Sequence, residues 1–285
     1  FADQHTNYES AFRHFAGLLE EGVFEKAGYD DWSVVNPYRV QGDKTTSVEI
    51  VRQMQKGGHD TGVPDYVVVP TGNGSCLAGI WKGFRELYAC GIIPELPRMV
   101  SAGIQHASPV FQAVKDEETG QPVIQDLSQL SEKEVRIGST IVAEEGYDSI
   151  EATKAVLESR GLAVEITREG LQCSVKQFMD SELESTRDLG VLPEPASYTA
   201  LAAIPKLPIE AGQTVVAVIT GHGMKAESAF QELIPKRKDL LHRIRKAVRR
   251  KKKKLPKAGQ DRGQMVRVST ELTSMRQGFE HLASE

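Results

Sequence analysis

The sequence predicts an α/β fold built on an open, mostly parallel sheet with helices on both faces. Three observations carry that reading. Short apolar runs rich in β-branched residues end in glycine-bearing loops, as strands buried on both sides of a parallel sheet do. Stretches with apolar residues at helical spacing lie between and after those runs. The two kinds of segment alternate along the chain, which is the signature of strands joined by crossover helices.

The elements follow in order. Asn7 to Glu21 places Phe12, Phe15, Leu18 and Leu19 at helix-like intervals and is followed by Gly22 and a turn-rich stretch through Gly28, Asp30 and Asp31. It reads as the last helix of an earlier unit. A helical pattern begins near Thr46 and runs to Gln55. Tyr66 to Val69 is the first strand, and Leu77 to Tyr88 the helix after it. Arg98 to Ile104 is a weaker strand. Asp116 to Leu130, with Gly120, Pro122 and many polar residues, reads as a connecting excursion on the surface. Ser149 to Ser159, Gln172 to Ser181 and Tyr198 to Ile204 are amphipathic, and Thr214 to Ile219 is the last strand.

The chain has 285 residues, 40% hydrophobic and 26% charged, which excludes collagen-like, disulfide-scaffold and wholly disordered classes. Its formal charge of −4 hides a split. From Lys236 onward there are 16 Lys and Arg against 5 Asp and Glu, which leaves the first 235 residues at −15. The body is acidic and the tail basic. Arg249 to Lys254 is an unbroken run of positive charge, of the kind that repels itself and stays solvated. Cys76, Cys90 and Cys173 form no CxxC pair and are odd in number, which argues against a disulfide framework or a cysteine zinc site and fits a reducing cytoplasm. No apolar run approaches the ~18 residues needed to span a bilayer, so no membrane partner is expected. Position 1 is Phe rather than Met, and the expectation is that the record opens in mid-protein.

The most informative stretch is Tyr66 to Leu87. There a strand runs into Pro70, Thr71, Gly72, Asn73, Gly74, Ser75 and Cys76 and then directly into a helical pattern. Glycines let backbone N–H groups approach an anion without Cβ obstruction, and the unpaired amides of a helix N-terminus add about half a positive charge. The pattern GxxxxGK[ST] is absent and so is GxGxxG, which favours a small phosphorylated ligand over a nucleotide. A tight strand-to-helix turn with no ligand is the alternative.

A second glycine loop, Thr220, Gly221, His222, Gly223, Met224, Lys225, follows the last strand. Open parallel sheets bind ligands at the carboxyl ends of their strands, so the two loops can share a crevice or be unrelated turns. His222 is either a general base or a residue that only caps the turn. Glu194, Pro195, Ala196 and Ser197 suit a helix start packed close to a ligand or to a neighbouring strand. Upstream, Asn36, Pro37, Tyr38, Arg39 precedes Gly42, Asp43, Lys44, Thr45. Arg39 and Lys44 are the cations nearest the first loop in sequence, as oxyanion ligands or as surface ion-pair partners.

Four motifs in this order, NPYRVQGDKT (Asn36 to Thr45), PTGNGSCL (Pro70 to Leu77), EPAS (Glu194 to Ser197) and TGHGMK (Thr220 to Lys225), resemble those of the threonine synthases. These are fold-type II enzymes that use pyridoxal 5′-phosphate (PLP). The resemblance runs from about Phe1 to Ile234, and the last motif is its most specific part. It implies that Gly72, Asn73, Gly74, Ser75 and Cys76 hold the cofactor phosphate, that Thr220 faces the pyridine nitrogen, and that Arg39 and Asn73 bind the phosphate of an amino-acid phosphate substrate. The implied reaction converts O-phosphohomoserine and water to threonine and phosphate, in the cytoplasm and in a homodimer. A neutral hydroxyl at Thr220, in place of a carboxylate, is expected to leave the ring nitrogen less firmly protonated.

The chain also departs from the family. Gly and Asn often stand where this loop ends in Ser75 and Cys76, and Val34 replaces a polar residue before the arginine motif. No Ser-Phe-Lys-Asp-like motif, which carries the family's Schiff-base lysine, occurs here; Lys44, Lys82 and Lys225 do not match it. The expectation is a chain truncated at its N-terminus and inactive alone. Residues 1–29 then form the trailing part of a small N-terminal domain, 30–235 the large PLP-phosphate domain and 236–285 a basic tail. One rival reading is another fold-type II lyase, such as a threonine or serine dehydratase. The other is a non-catalytic protein that binds nucleic acid through the basic tail, which the acidic body opposes.

Overall fold

A computed structural model of the chain describes residues 17, 18, 20, 21, 36–117, 119–121, 123–138, 140–180, 193–226, 229, 230 and 233. The expected tail at 236–285, Val34 and all but a few residues of the expected 1–29 unit lie outside these. Gly17, Leu18 and Glu20 are helical, in keeping with the helix read there.

Four strands, β1 (Tyr66–Pro70), β2 (Arg98–Ile104), β3 (Leu162–Ile166) and β4 (Val215–Ala217), form one sheet in the order β3-β2-β1-β4. Every pairing is parallel. The first three strands step one way across the sheet, and β4 returns to the other side of β1. The order therefore reverses at the β1–β4 boundary, where the carboxyl ends of two neighbouring strands diverge into separate loops.

Strand periodicity assigns the two cores. Tyr66 and Val68 of β1, Val100, Ala102 and Ile104 of β2 and Val164 and Ile166 of β3 face one apolar cluster. Val67, Val69, Met99, Val216 and Val218 face the other, because successive side chains leave a strand on opposite sides. The first cluster is closed by α7 (Arg168–Asp180) through Leu171 and Val175, and by α8 (Tyr198–Ala203) through Tyr198, Ala200 and Ala203. The second is closed by α2 (Thr45–Lys56), α3 (Ser75–Ala89), α4 (Pro109–Lys115) and α6 (Ser149–Glu158). Helices thus cover both faces, as the sequence predicts, and β1 is buried along its whole length.

The described residues also form α1 (Pro37–Asp43), ahead of α2, and α5 (Glu132–Ile137). Asn36 caps α1 by accepting from the amide of Tyr38 at 2.9 Å, and Pro37 suits the first turn because its missing N–H would be unpaired there anyway. The NPYR motif is therefore a helix start, not a loop. α5 opens with a capping box in which Ser131 and Glu134 bond each other's backbone amides.

The edge strand β3 is the strand that periodicity missed. Leu162, Ala163 and Glu165 are only half-buried, and no glycine loop follows it. It is made by what precedes it: a Cβ on Gly161 would lie 1.8 Å from the Met99 carbonyl oxygen, so only glycine lets the chain pass this close to β2. Among the described residues no helix is long and apolar enough to cross a membrane.

Candidate active site

The first loop leaves β1 at Pro70 and enters α3 at Ser75. Thr71 anchors its start, with its amide donating to Ala102 O at 2.9 Å and its hydroxyl to Val69 O at 2.8 Å. Gly74 sits at φ 107°, a left-handed conformation that turns the backbone into the helix and that other residues adopt only under strain. It offers no side chain to cap α3, so the first-turn amides of this 15-residue helix have no side-chain acceptor at the N-cap. The helix dipole and those amides make the end of β1 attractive to an anion.

The structure gives the glycines a further reason. A Cβ on Gly72 would lie 2.8 Å from Ile141 Cα, and one on Gly74 would lie 2.9 Å from the Asp148 carbonyl oxygen. The segment 140–148 thus runs across the loop in backbone contact with it. The Tyr147 amide donates to Asn73 Oδ1 at 3.4 Å, while Asn73 and Cys76 remain half-buried and Gly72, Gly74 and Ser75 are buried. Nothing in the local sequence of the loop points to this covering strap.

The second loop lies beside the first. Val68 pairs with Ala217, and the Val218 amide donates to Val68 O at 2.9 Å, which carries β4 alongside β1 to Thr220. Here the EPAS stretch contributes more than small residues. Glu194 is 4% exposed, and its Oε1 accepts from the Thr220 hydroxyl at 3.0 Å and from the Gly221 amide at 2.9 Å. Ser197 Oγ lies 2.9 Å from Thr220 Oγ1 and accepts from the Thr220 amide at 3.0 Å. The Glu194 amide in turn donates to Gly221 O at 2.8 Å. A Cβ on Gly221 would fall 2.5 Å from the Glu194 carboxyl oxygens, so a larger residue there would push the carboxyl out of this network. Glu194 Oε2 is buried with no hydrogen-bond partner among the described residues. Sequence reasoning missed this network; an acidic residue among small and apolar neighbours was the signal available. His222 forms a backbone bridge with Pro193, which ties the loop to the EPAS segment.

The cations divide. Lys44 Nζ lies 2.7 Å from Glu86 Oε2, and Lys82 shares the same carboxylate, so the ion-pair reading of Lys44 describes the geometry. Those two hydrogen bonds, Lys44 first, hold the Glu86 carboxyl below the usual range. Arg39 stands on α1 with its Nε 3.8 Å from Asp43 Oδ2. α1 lies against α3, since a Cβ on Gly79 would meet Asp43 Cβ at 2.5 Å. Burial raises the Asp43 carboxyl above its ordinary range, Arg39 opposes that, and the Asp148 charge adds to it. Burial also pushes the Cys76 thiol up, with Asp43 adding to the shift and Arg39 opposing it. Arg39, Asp43, Cys76 and Asp148 are therefore electrostatic neighbours at the start of α3, and Cys76 is a protonated thiol, not a nucleophile.

Taken together, these features define a parallel α/β domain with two glycine loops at the carboxyl ends of the neighbouring strands β1 and β4. The profile of the family described as "Pyridoxal-phosphate dependent enzyme" matches residues 3–221, and the chain belongs to that family. It is 31% identical to the threonine synthase of Methanocaldococcus jannaschii over 204 residues, which take in 68% of this chain and 44% of that protein. It is 33% identical to the threonine synthase of Methanosarcina acetivorans over 198 residues, with 67% and 44% covered. The matches thus span less than half the length of these relatives. In fold, the chain is similar to the crystal structure of PLP-bound threonine synthase from Brucella melitensis, with a TM-score of 0.56 and 12% identity over 97% of this chain and 58% of that one. The architecture is that of the fold-type II PLP enzymes.

Proposed function

We propose that this chain forms the cofactor-phosphate domain of a threonine synthase, which converts O-phosphohomoserine and water to threonine and phosphate. The observation that carries the reading is the placement of the Gly72 to Cys76 loop and of Thr220 at the carboxyl ends of neighbouring strands, where the sheet order reverses. The residues present fit PLP on two counts: the uncapped first turn of α3 suits a phosphate, and the half-buried, hydrogen-bonded hydroxyl of Thr220 on the neighbouring strand's loop suits a ring nitrogen.

When bound, PLP supplies an electron sink for an amino-acid substrate. The chain's own residues bind and orient. Main-chain amides from Gly72 to Cys76 hold the cofactor phosphate, and Thr220 meets the ring nitrogen. Arg39 and Asn73 hold the substrate phosphate; the 3.8 Å pair of Arg39 with Asp43 and the 3.4 Å contact of Asn73 with Tyr147 are loose enough to be exchanged for it. The 140–148 strap covers the loop and shields it from water. Assembly as a homodimer in the cytoplasm belongs to the same reading.

The test uses the protein as its whole gene encodes it. Incubated with PLP and O-phosphohomoserine, it is expected to yield threonine and phosphate in equal amounts, and Arg39→Ala raises KM at least tenfold, the loss of one charge-assisted phosphate contact of about 1.5–3 kcal/mol. The polypeptide of these 285 residues alone releases none, because the family's lysine motif is absent from it. Production of a keto acid from threonine or serine, without phosphate release from O-phosphohomoserine, would overturn this reading in favour of a dehydratase.

A further inference from the structure

Beside Arg39 sits a carboxyl that an oxyanion ligand would have to tolerate. Asp43 is 8% exposed, and its Oδ2 meets no hydrogen-bond partner among the described residues. Arg39, one turn earlier on α1, meets that oxygen through Nε at 3.8 Å, which is beyond hydrogen-bond reach. The two terminal nitrogens of the planar guanidinium are left for another oxyanion. The seating of α1 on α3 at Gly79, where a Cβ would lie 2.5 Å from Asp43 Cβ and 3.1 Å from Val40 O, keeps the carboxyl between the helices.

The charges around Asp43 come from three directions. On its own helix, Arg39 supplies a positive charge; from the strap, Asp148 adds a second negative one. On α3, Cys76 is a neutral thiol, Lys82 pairs with Glu86 as Lys44 does, and Arg85 pairs with Glu158. On α2, Glu49 accepts from Gln53, and neither it nor Arg52 is among the charges that act on Asp43. One positive and two negative charges thus share a place with little water. An oxyanion that takes the Arg39 guanidinium removes the attraction that opposes burial of the Asp43 charge, and it sets more negative charge beside it. A buried carboxylate in that position gains by becoming a neutral acid.

We propose that binding of a tetrahedral oxyanion at Arg39 is coupled to the uptake of one proton by Asp43. The proton comes from bulk solvent, converts the carboxylate to the acid, and returns to solvent when the anion leaves. This rests on Arg39 as the phosphate ligand of the proposed function and deepens that reading. By linkage, the same coupling makes oxyanion binding weaken as pH rises, by up to about tenfold per pH unit. Burial already holds the Asp43 carboxyl above 3.8 before the anion arrives. The slope therefore lies between that value and the still higher one of the anion-bound protein, and the contribution of Asp43 is level on either side.

The test is titration calorimetry of the protein as its whole gene encodes it, loaded with PLP, with sulfate as the probe. Sulfate carries no proton above pH 3.8, so protons counted from the heats in buffers of different ionisation enthalpy belong to the protein. Wild type is expected to take up a proton with the anion and to bind it less tightly as pH rises. Asp43→Asn, which carries no charge to neutralise, loses that uptake and binds sulfate more tightly than wild type at neutral pH. Arg39→Ala loses both the binding and the uptake. Sulfate that binds wild type without proton uptake at any pH above 3.8 overturns the inference and needs no variant to fold. Uptake that persists in Asp43→Asn or Arg39→Ala, or a wild type that binds no sulfate, overturns it as well. Failure to release phosphate from O-phosphohomoserine overturns the proposed function instead, and the proton count is read independently of that activity.

Discussion

Asp43 shows how one side chain can be held in the fold against its own preference. It is 8% exposed, its Oδ2 makes no hydrogen bond among the described residues, and its guanidinium neighbour Arg39 is 3.8 Å away. Burial outweighs that attraction and raises its carboxyl above the ordinary 3.8. A carboxyl whose folded value is raised adds stability in full below 3.8, and that contribution is lost as pH rises through the folded value. Near neutrality the charge is therefore a burden. Asp43→Asn is expected to gain stability over wild type as pH is raised from 3.8 toward neutrality, measured as unfolding free energies in urea. The partly exposed Arg39 left behind loses little. A difference between the two proteins that does not change with pH would show that Asp43 titrates normally. At the same scale, the glycine loop was legible as an anion site, but the Glu194 carboxyl was not. Its role depends on Gly221 and Thr220, 27 and 26 positions away in sequence.

At the scale of elements, the seating of α1 and α2 on α3 is set by two absent side chains. Gly79 and Gly83 are one turn apart on α3. A Cβ on Gly83 would fall 2.0 Å from Ser47 Oγ and 2.5 Å from the Lys44 carbonyl oxygen. Ser47 cannot swing clear without giving up its 2.6 Å hydrogen bond to Lys44 O. On an open helix, Gly→Ala adds about 0.5–1 kcal/mol of stability. Here the sign reverses: Gly83→Ala is expected to destabilise by about 1–3 kcal/mol, the usual range for overpacking, as a fall in the urea midpoint. A rise in the midpoint would mean that the helices separate freely. The sequence made α3 visible through its apolar spacing. It also placed strand β2 at both its ends, although Ser101 and Gly103 weaken its apolar pattern, and six of its seven residues are buried. The half-buried edge strand β3 lacked that signal, and the short helices α1 and α4, at seven residues each, are too brief for periodicity to establish.

For the whole molecule, the sheet is the scaffold and the pairing of the two glycine loops its product. The two cores on either face hold β1, and two loops emerge from the neighbouring carboxyl ends of β1 and β4. A ligand that bridges both loops binds only the folded state, so its free energy adds to stability by mass action. For the protein as its gene encodes it, PLP at one hundred times its dissociation constant is expected to stabilise by about 2.7 kcal/mol in thermal or urea unfolding. Gly74→Ala, which places a methyl group against Asp148 O and Ala152 Cβ at a φ of 107°, is expected to abolish that increment. An equal gain in wild type and variant would place the cofactor elsewhere.

Local chemistry alone determined several things: the alternation of strand and helix, the glycine loops at strand ends, and the division between an acidic body and a basic tail. Each follows from side-chain polarity, period and backbone freedom within a few consecutive residues. Only the tertiary structure decided which loops are neighbours. The order β3-β2-β1-β4 brings Gly72 and Thr220 to adjacent strand ends, although about half the chain separates them. It also decided that the 140–148 strap presses on Gly72 and Gly74, and that Glu194 accepts a hydrogen bond from the Thr220 hydroxyl. Those are contacts between distant segments, set by strand pairing and packing on the sheet, and no period or motif within one segment encodes them.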